Sequence, residues 1–207
     1  MNQKRTPWGL ILTVGLIVLF AAGVIGYALT RHSSNANSTP FLNELAAAKQ
    51  LAGITFTPEP ARNHVSTVVK YDRSPPVGGN HAPVWADCTG TVYSNPIADE
   101  NAMHAFEHGA VWITYQPGLP QTEITQLAGL VTDQNYTFMS PYPGQKSRIS
   151  LQSWGYQLPV DSATDPRVAQ FIGTFRSNPK TTPEPAASCA NPAFKTNPST
   201  PGRPSES

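Results

Sequence analysis

At 207 residues the chain holds one domain's worth of sequence with appendages. Its 14 Lys+Arg stand against 13 Asp+Glu, a formal net charge of +1; with no positive excess to release counterions from phosphates, the composition argues against nucleic acid as a partner. Two cysteines exclude a four-cysteine zinc module and a disulfide-dense miniprotein.

The first feature in chain order is the uncharged run from Trp8 to Leu29. As a helix it rises about 33 Å, enough for a hydrocarbon core of about 30 Å. Trp8 and Tyr27 stand near its ends, where amphipathic aromatics prefer the interface. Lys4 and Arg5 precede the run and Arg31 follows it. With the free amino terminus added, positive charge is heavier on the N-terminal side, which predicts a cytoplasmic stub at 1–7, a transmembrane helix at 8–29 and the bulk of the chain outside. The expectation is a single-pass protein of the cell membrane with the lipid bilayer as its first partner. A cleavable signal peptide has a shorter apolar region, about 7–15 residues, and a small-x-small site; Ala21-Ala22-Gly23 is the best match to one.

Residues 30–39 are Ser/Asn-rich and read as a linker. An exported globular domain is expected at 40–177. Thr39 as cap, Pro40 as first residue and Gly53 as stop predict a helix over 40–52. Val65 to Tyr71 is β-branched and reads as a strand. The stretch 73–99 is aperiodic and rich in Pro and Gly, and long irregular loops inside a domain are usually functional. A short helix is predicted over 99–108, capped by Asp99 and closed by Gly109, then a strand over 110–115. Ile124, Leu127, Ala128 and Val131 have the spacing of a surface helix. Strands are read at 136–139 and 148–154, and a helix at 166–176 with Asp165 as cap. From 178 to 207 the chain is rich in Pro, Ser, Thr and Asn, and is expected to be a disordered tail. Without regular βαβ alternation, the fold class expected is α+β: a small, mostly antiparallel sheet with flanking short helices.

Cys88 and Cys189 fall on the predicted outer side, where an oxidising compartment permits a disulfide. A thiol metal ligand at Cys88, or two free thiols, are the alternatives.

Four of the five histidines, His64, His81, His104 and His108, lie within 45 residues of one another in sequence. On a helix, His104 and His108 at i and i+4 share a face. Completed by His81 from the Pro/Gly loop and by His64, they make a candidate site for zinc or copper(II), with Met103 or Met139 tilting it towards copper(I). The string His104-x-x-Glu107-His108 also matches the pattern of inverted zinc peptidases, making Glu107 a candidate catalytic base of a metal-dependent hydrolase. Against that use, Gly109 ends the helix at the motif. The bland alternative is a scaffold: a His–Glu cluster that only hydrogen-bonds within a non-enzymatic envelope interaction domain, with an envelope protein as partner. Gly78-Gly79 lacks the Lys-Ser/Thr of a phosphate loop, and Trp85, Trp112 and Trp154 read as packing residues.

Asn63-His64-Val65, Pro75-Pro76-Val77-Gly78-Gly79-Asn80-His81, Pro96-Ile97, the run from Met103 to Val111, Tyr115-Gln116-Pro117 and Ser153-Trp154-Gly155 occur together in this order. In this combination the chain, over roughly 54–177, resembles an exported, membrane-anchored bacterial family, domain of unknown function 3105. It departs from that family's pattern at Gly78, Asn80 and Phe106, and leaves the histidines untouched. The resemblance implies an exported placement and a shared histidine-containing core; it implies no reaction.

Overall fold

The computed structural model describes residues 51–59 and 61–202. The expected stub, transmembrane helix and linker, and nearly all of the helix expected at 40–52, lie outside them. Among the described residues no helix is long and apolar enough to cross a membrane.

Val111-Trp-Ile-Thr-Tyr115 is buried at every position, so it must be covered on both faces, and it forms a central strand. The elements in chain order are β1 (Thr55–Phe56), β2 (Thr89–Val92), α1 (Asp99–Glu107), β3 (Val111–Tyr115), α2 (Gln121–Val131), β4 (Thr137–Pro141), β5 (Ile149–Ser153), β6 (Tyr156–Val160), α3 (Pro166–Phe175) and α4 (Pro192–Thr196). The six strands form one sheet in the order β1-β6-β5-β3-β4-β2.

The sheet is mixed. β3 pairs with β4, and β4 with β2, in parallel; β3–β5, β5–β6 and β6–β1 are antiparallel. The expected mostly antiparallel sheet is therefore corrected to an α+β fold whose two halves differ. The parallel half is β2-α1-β3-α2-β4, an alternation that the sequence hides because β2 is Thr-Gly-Thr-Val and looks like loop. Gly90 in β2 has φ +80°, and a Cβ there would lie 2.7 Å from the Val131 carbonyl oxygen and from the Asp133 nitrogen. The strand is thus seated against the end of α2, which only a glycine permits.

Period-two alternation sends neighbours on β3 to opposite faces. Val111, Ile113 and Tyr115 join Leu127 and Val131 of α2 and Val168, Phe171 and Phe175 of α3 in one core. Trp112 joins Phe138, Met103 and Phe106 in the other, beneath α1. α3 starts as expected: Asp165 accepts a hydrogen bond from the Arg167 amide at 2.9 Å, with Pro166 in the first turn.

Three further expectations are corrected. Residues 65–71 form no strand. β-branched side chains favour a strand only where a partner edge exists, and here Val68 is exposed while the Val69 amide donates to the buried Glu100 carboxylate at 2.7 Å. Asp99 does not cap α1; Ala98 occupies that position, and the Asp99 carboxylate accepts from the Tyr142 hydroxyl at 2.9 Å. The segment expected to be a disordered tail is tied to the domain as far as Ser199: Cys189 is joined to Cys88, Phe194 is buried in the core beneath α1, and the Ala98 amide donates to the Ser199 carbonyl at 2.9 Å. Composition missed this because one disulfide and one buried aromatic hold a segment that could not bury a core by itself.

Burial pushes Asp99 up to about 7, against the Tyr142 hydrogen bond, with Glu100 adding repulsion. An unfolded aspartate titrates near 3.9. The folded chain therefore holds a proton that the unfolded chain lacks between those values, and this contribution to stability is lost as pH rises through about 7. Asp99→Asn should stabilise the protein by about 2 kcal/mol at pH 8, allowing for partial exposure, with the gain shrinking towards pH 5. Urea denaturation of both proteins at the two pH values checks this.

Candidate metal centre

α1 is buried on almost every side from Glu100 to Glu107, although it carries Glu100, Asn101, His104 and Glu107. Buried polar groups require partners, and the histidines find theirs on backbone carbonyls. His104 Nδ1 lies 2.8 Å from the Ala82 oxygen, His81 Nδ1 2.8 Å from the Gly79 oxygen and His108 Nδ1 2.7 Å from the Ser188 oxygen. A carbonyl only accepts, so each Nδ1 carries the proton and donates it. In the neutral ring each Nε2 is then left with a lone pair. This is how metal-binding imidazoles are usually oriented from behind.

Loop geometry sets His81. Gly79, at φ +112°, turns the chain so that its own carbonyl meets the ring two residues on. His64 arrives by an isolated parallel bridge to His81: the Val65 amide donates to the His81 oxygen at 2.7 Å, and the His81 amide to the Asn63 oxygen at 3.1 Å. The His64 ring stacks on His104 with centroids 4.7 Å apart and meets His81 edge-on at 5.1 Å. One ligand atom from each of His64, His81 and His104 lies within 4.8 Å of the other two. Two nitrogens on one tetrahedral zinc are about 3.4 Å apart, so separations of up to 4.8 Å close on an ion by a contraction of up to about 1.4 Å. His64 is the exposed member of the three.

His108 is set apart. Its ring lies 4.8 Å from that of His104, as the i, i+4 spacing requires, but it is not in the triad. The Ser188 carbonyl aims it towards Glu184, whose Oε2 is 4.0 Å from His108 Nε2. The Cys88–Cys189 disulfide, with Cα atoms 4.8 Å apart, fixes Ser188 there and removes Cys88 as a thiol ligand. Met103 and Met139 pack in the cores on opposite faces of the sheet, so the donors gathered here are imidazoles, which suit zinc or copper(II) rather than copper(I).

Glu107 Oε2 is 3.2 Å from His81 Nε2, within ion-pair distance but outside the geometry of a regular hydrogen bond. Burial favours the neutral form of Glu107, but its contact with the His81 ring, followed by the charge that His81, His104 and His64 carry when protonated, holds the carboxyl below its usual range. Burial also lowers His104 to about 4, opposed by the Ala82 carbonyl and assisted by His108, His81 and His64, so it is neutral at physiological pH. His108 is lowered too, chiefly by burial, against the Ser188 carbonyl and Glu184. A pocket of about 450 Å³, lined by Ala61, Arg62, Asn63, His64, Glu107 and Glu184, opens beside the triad.

A family model described as a protein of unknown function, DUF3105, matches residues 64–191. The chain belongs to the DUF3105 family. No curated protein and no solved structure matches it. The DUF3105 match begins at His64 and ends at Asn191, so it takes in all four clustered histidines and both cysteines.

Sequence reasoning missed Glu184, Ser188 and Trp85. The Trp85 ring is tilted against both rings, its centroid 5.6 Å from that of His104 and 5.0 Å from that of His108. Cys189 was the one signal that could have brought the C-terminal pair to the site.

Proposed function

We propose that this domain binds a transition metal ion, zinc or copper(II), through His64, His81 and His104, and serves metal capture or delivery at the outer face of the cell membrane, anchored through residues 8–29. The observation that carries the reading is the triad itself: three imidazoles from separate stretches of chain bring ligand atoms within 4.8 Å of one another. The two buried rings have their Nδ1 protons committed to carbonyls. His81 Nε2 is buried without a regular hydrogen bond and faces the Glu107 carboxylate at 3.2 Å; in the neutral ring with its proton on Nδ1, the Nε2 lone pair is available to a cation.

Metal analysis and zinc titration of the full-length protein in detergent should find about one tightly held ion per chain. A folded protein that takes up none would leave the scaffold reading, an envelope interaction domain with a structural His–Glu cluster.

Glu107 favours a second reading. Its carboxylate is 3.2 Å from a triad nitrogen and the residue lines the pocket; from there the carboxylate could take a proton from a metal-bound water. In a metal-dependent hydrolase, Glu107→Gln keeps the ion and loses turnover of an ester or peptide substrate by about 100-fold or more. No turnover in the metal-loaded wild type would dismiss this use of Glu107.

A further inference from the structure

We infer that His108 and Glu184 form a second, weaker metal station, through which the ion enters and leaves the His64–His81–His104 triad; this rests on the metal-binding reading above. The Ser188 carbonyl takes the Nδ1 proton of His108 and leaves an Nε2 lone pair 4.0 Å from Glu184 Oε2. With the ring neutral, two acceptors face each other across this gap, an arrangement that a cation relieves. An ion bound at about 2.0–2.2 Å to each spans such a gap when nearly linear. Glu184 is 56% exposed, so a small rotation reaches the tetrahedral bite.

The position of the pair suits transfer. Glu184 lines the same pocket as His64 and Glu107, and its amide donates to the Glu107 carbonyl at 2.8 Å. Behind it, His108 adjoins His104, a triad member. An ion held between the exposed carboxylate and His108 lies beside His104, and passes to it and its partners by exchanging ligands one at a time. Two protein ligands, one of them mobile, hold an ion less firmly than three imidazoles, and that difference gives the exchange its direction.

The test follows zinc uptake by the full-length protein from a weak fluorescent chelator, together with equilibrium titration. Wild type should show one tight equivalent and a second about 100-fold weaker or more. Glu184→Gln, at an exposed position, and His108→Gln should each abolish the weak equivalent and slow filling of the tight site by about ten-fold. A tight ion with uptake unchanged in both variants would overturn the station and leave the triad standing. Loss of the tight ion in His108→Gln, with folding intact by circular dichroism, would instead make His108 a triad ligand and also overturn it. No tight ion in wild type would remove both readings together.

Discussion

His81→Ala and His104→Ala should each lose the tight ion proposed above, weakening zinc binding by about 100-fold or more. The scale follows from metal sites in general, where changing a residue that merely orients a ligand already costs about 10–100-fold. Both rings are buried, and both are fixed from behind, by Gly79 and by Ala82. No neighbouring imidazole can therefore swing into the vacated place without giving up its own carbonyl. His64→Ala should cost less, since His64 is exposed and a water molecule can replace its nitrogen. The His104 substitution also strands the Ala82 carbonyl, at a cost of about 1–3 kcal/mol, so near-ultraviolet circular dichroism must accompany the titration. Unchanged affinity in a folded His81→Ala protein would exclude the triad as the site.

The second large effect concerns the disulfide. Replacing Cys88 and Cys189 together by alanine should lower stability by about 4 kcal/mol. The two residues are 101 apart in sequence, and a loop of about that length is worth about 4.7 kcal/mol in the chain-entropy treatment of the unfolded state. Domains of this size have about 5–15 kcal/mol in total, so the loss is a large fraction. In urea, at about 2 kcal/mol per molar, the midpoint falls by about 2 M. Both sulfurs are buried and the Cys88 amide donates to the Cys189 carbonyl at 3.0 Å, so local packing is lost with the bond. Ser188 precedes Cys189 and orients His108; the same double variant should therefore weaken whatever ion His108 holds while sparing the triad. A midpoint shift below about 0.5 M would show that contacts such as Phe194 in the core hold the segment without the bond.

Much of the central architecture was legible because it is local. The i, i+3, i+4, i+7 pattern that ends at Val131 became α2, Asp165-Pro166 became the start of α3, and the apolar run after Gly109 became β3. Each of these needs only its own period or its own cap. β2 and β6 were illegible for the opposite reason. Thr-Gly-Thr-Val and Tyr-Gln-Leu-Pro-Val are weak strand formers alone, and become strands because β4 and β5 offer them an edge. The reverse happened at 65–71, where a strong strand former found no edge and its Val69 amide went to Glu100.

The sequence by itself determined the donors: imidazoles concentrated in one short part of the chain, a helical spacing that makes His104 and His108 neighbours, a glycine turn before His81, and two cysteines free to pair. Only the tertiary structure decided which donors meet. His104 turned to Ala82 and His108 to Ser188, so the i, i+4 pair that looked like the heart of the site was divided, and exposed His64 took the place expected of His108. The reason is that each Nδ1 proton must be given to an acceptor once its ring is buried. Those acceptors lie 22 and 80 residues away along the chain, beyond the reach of any local pattern.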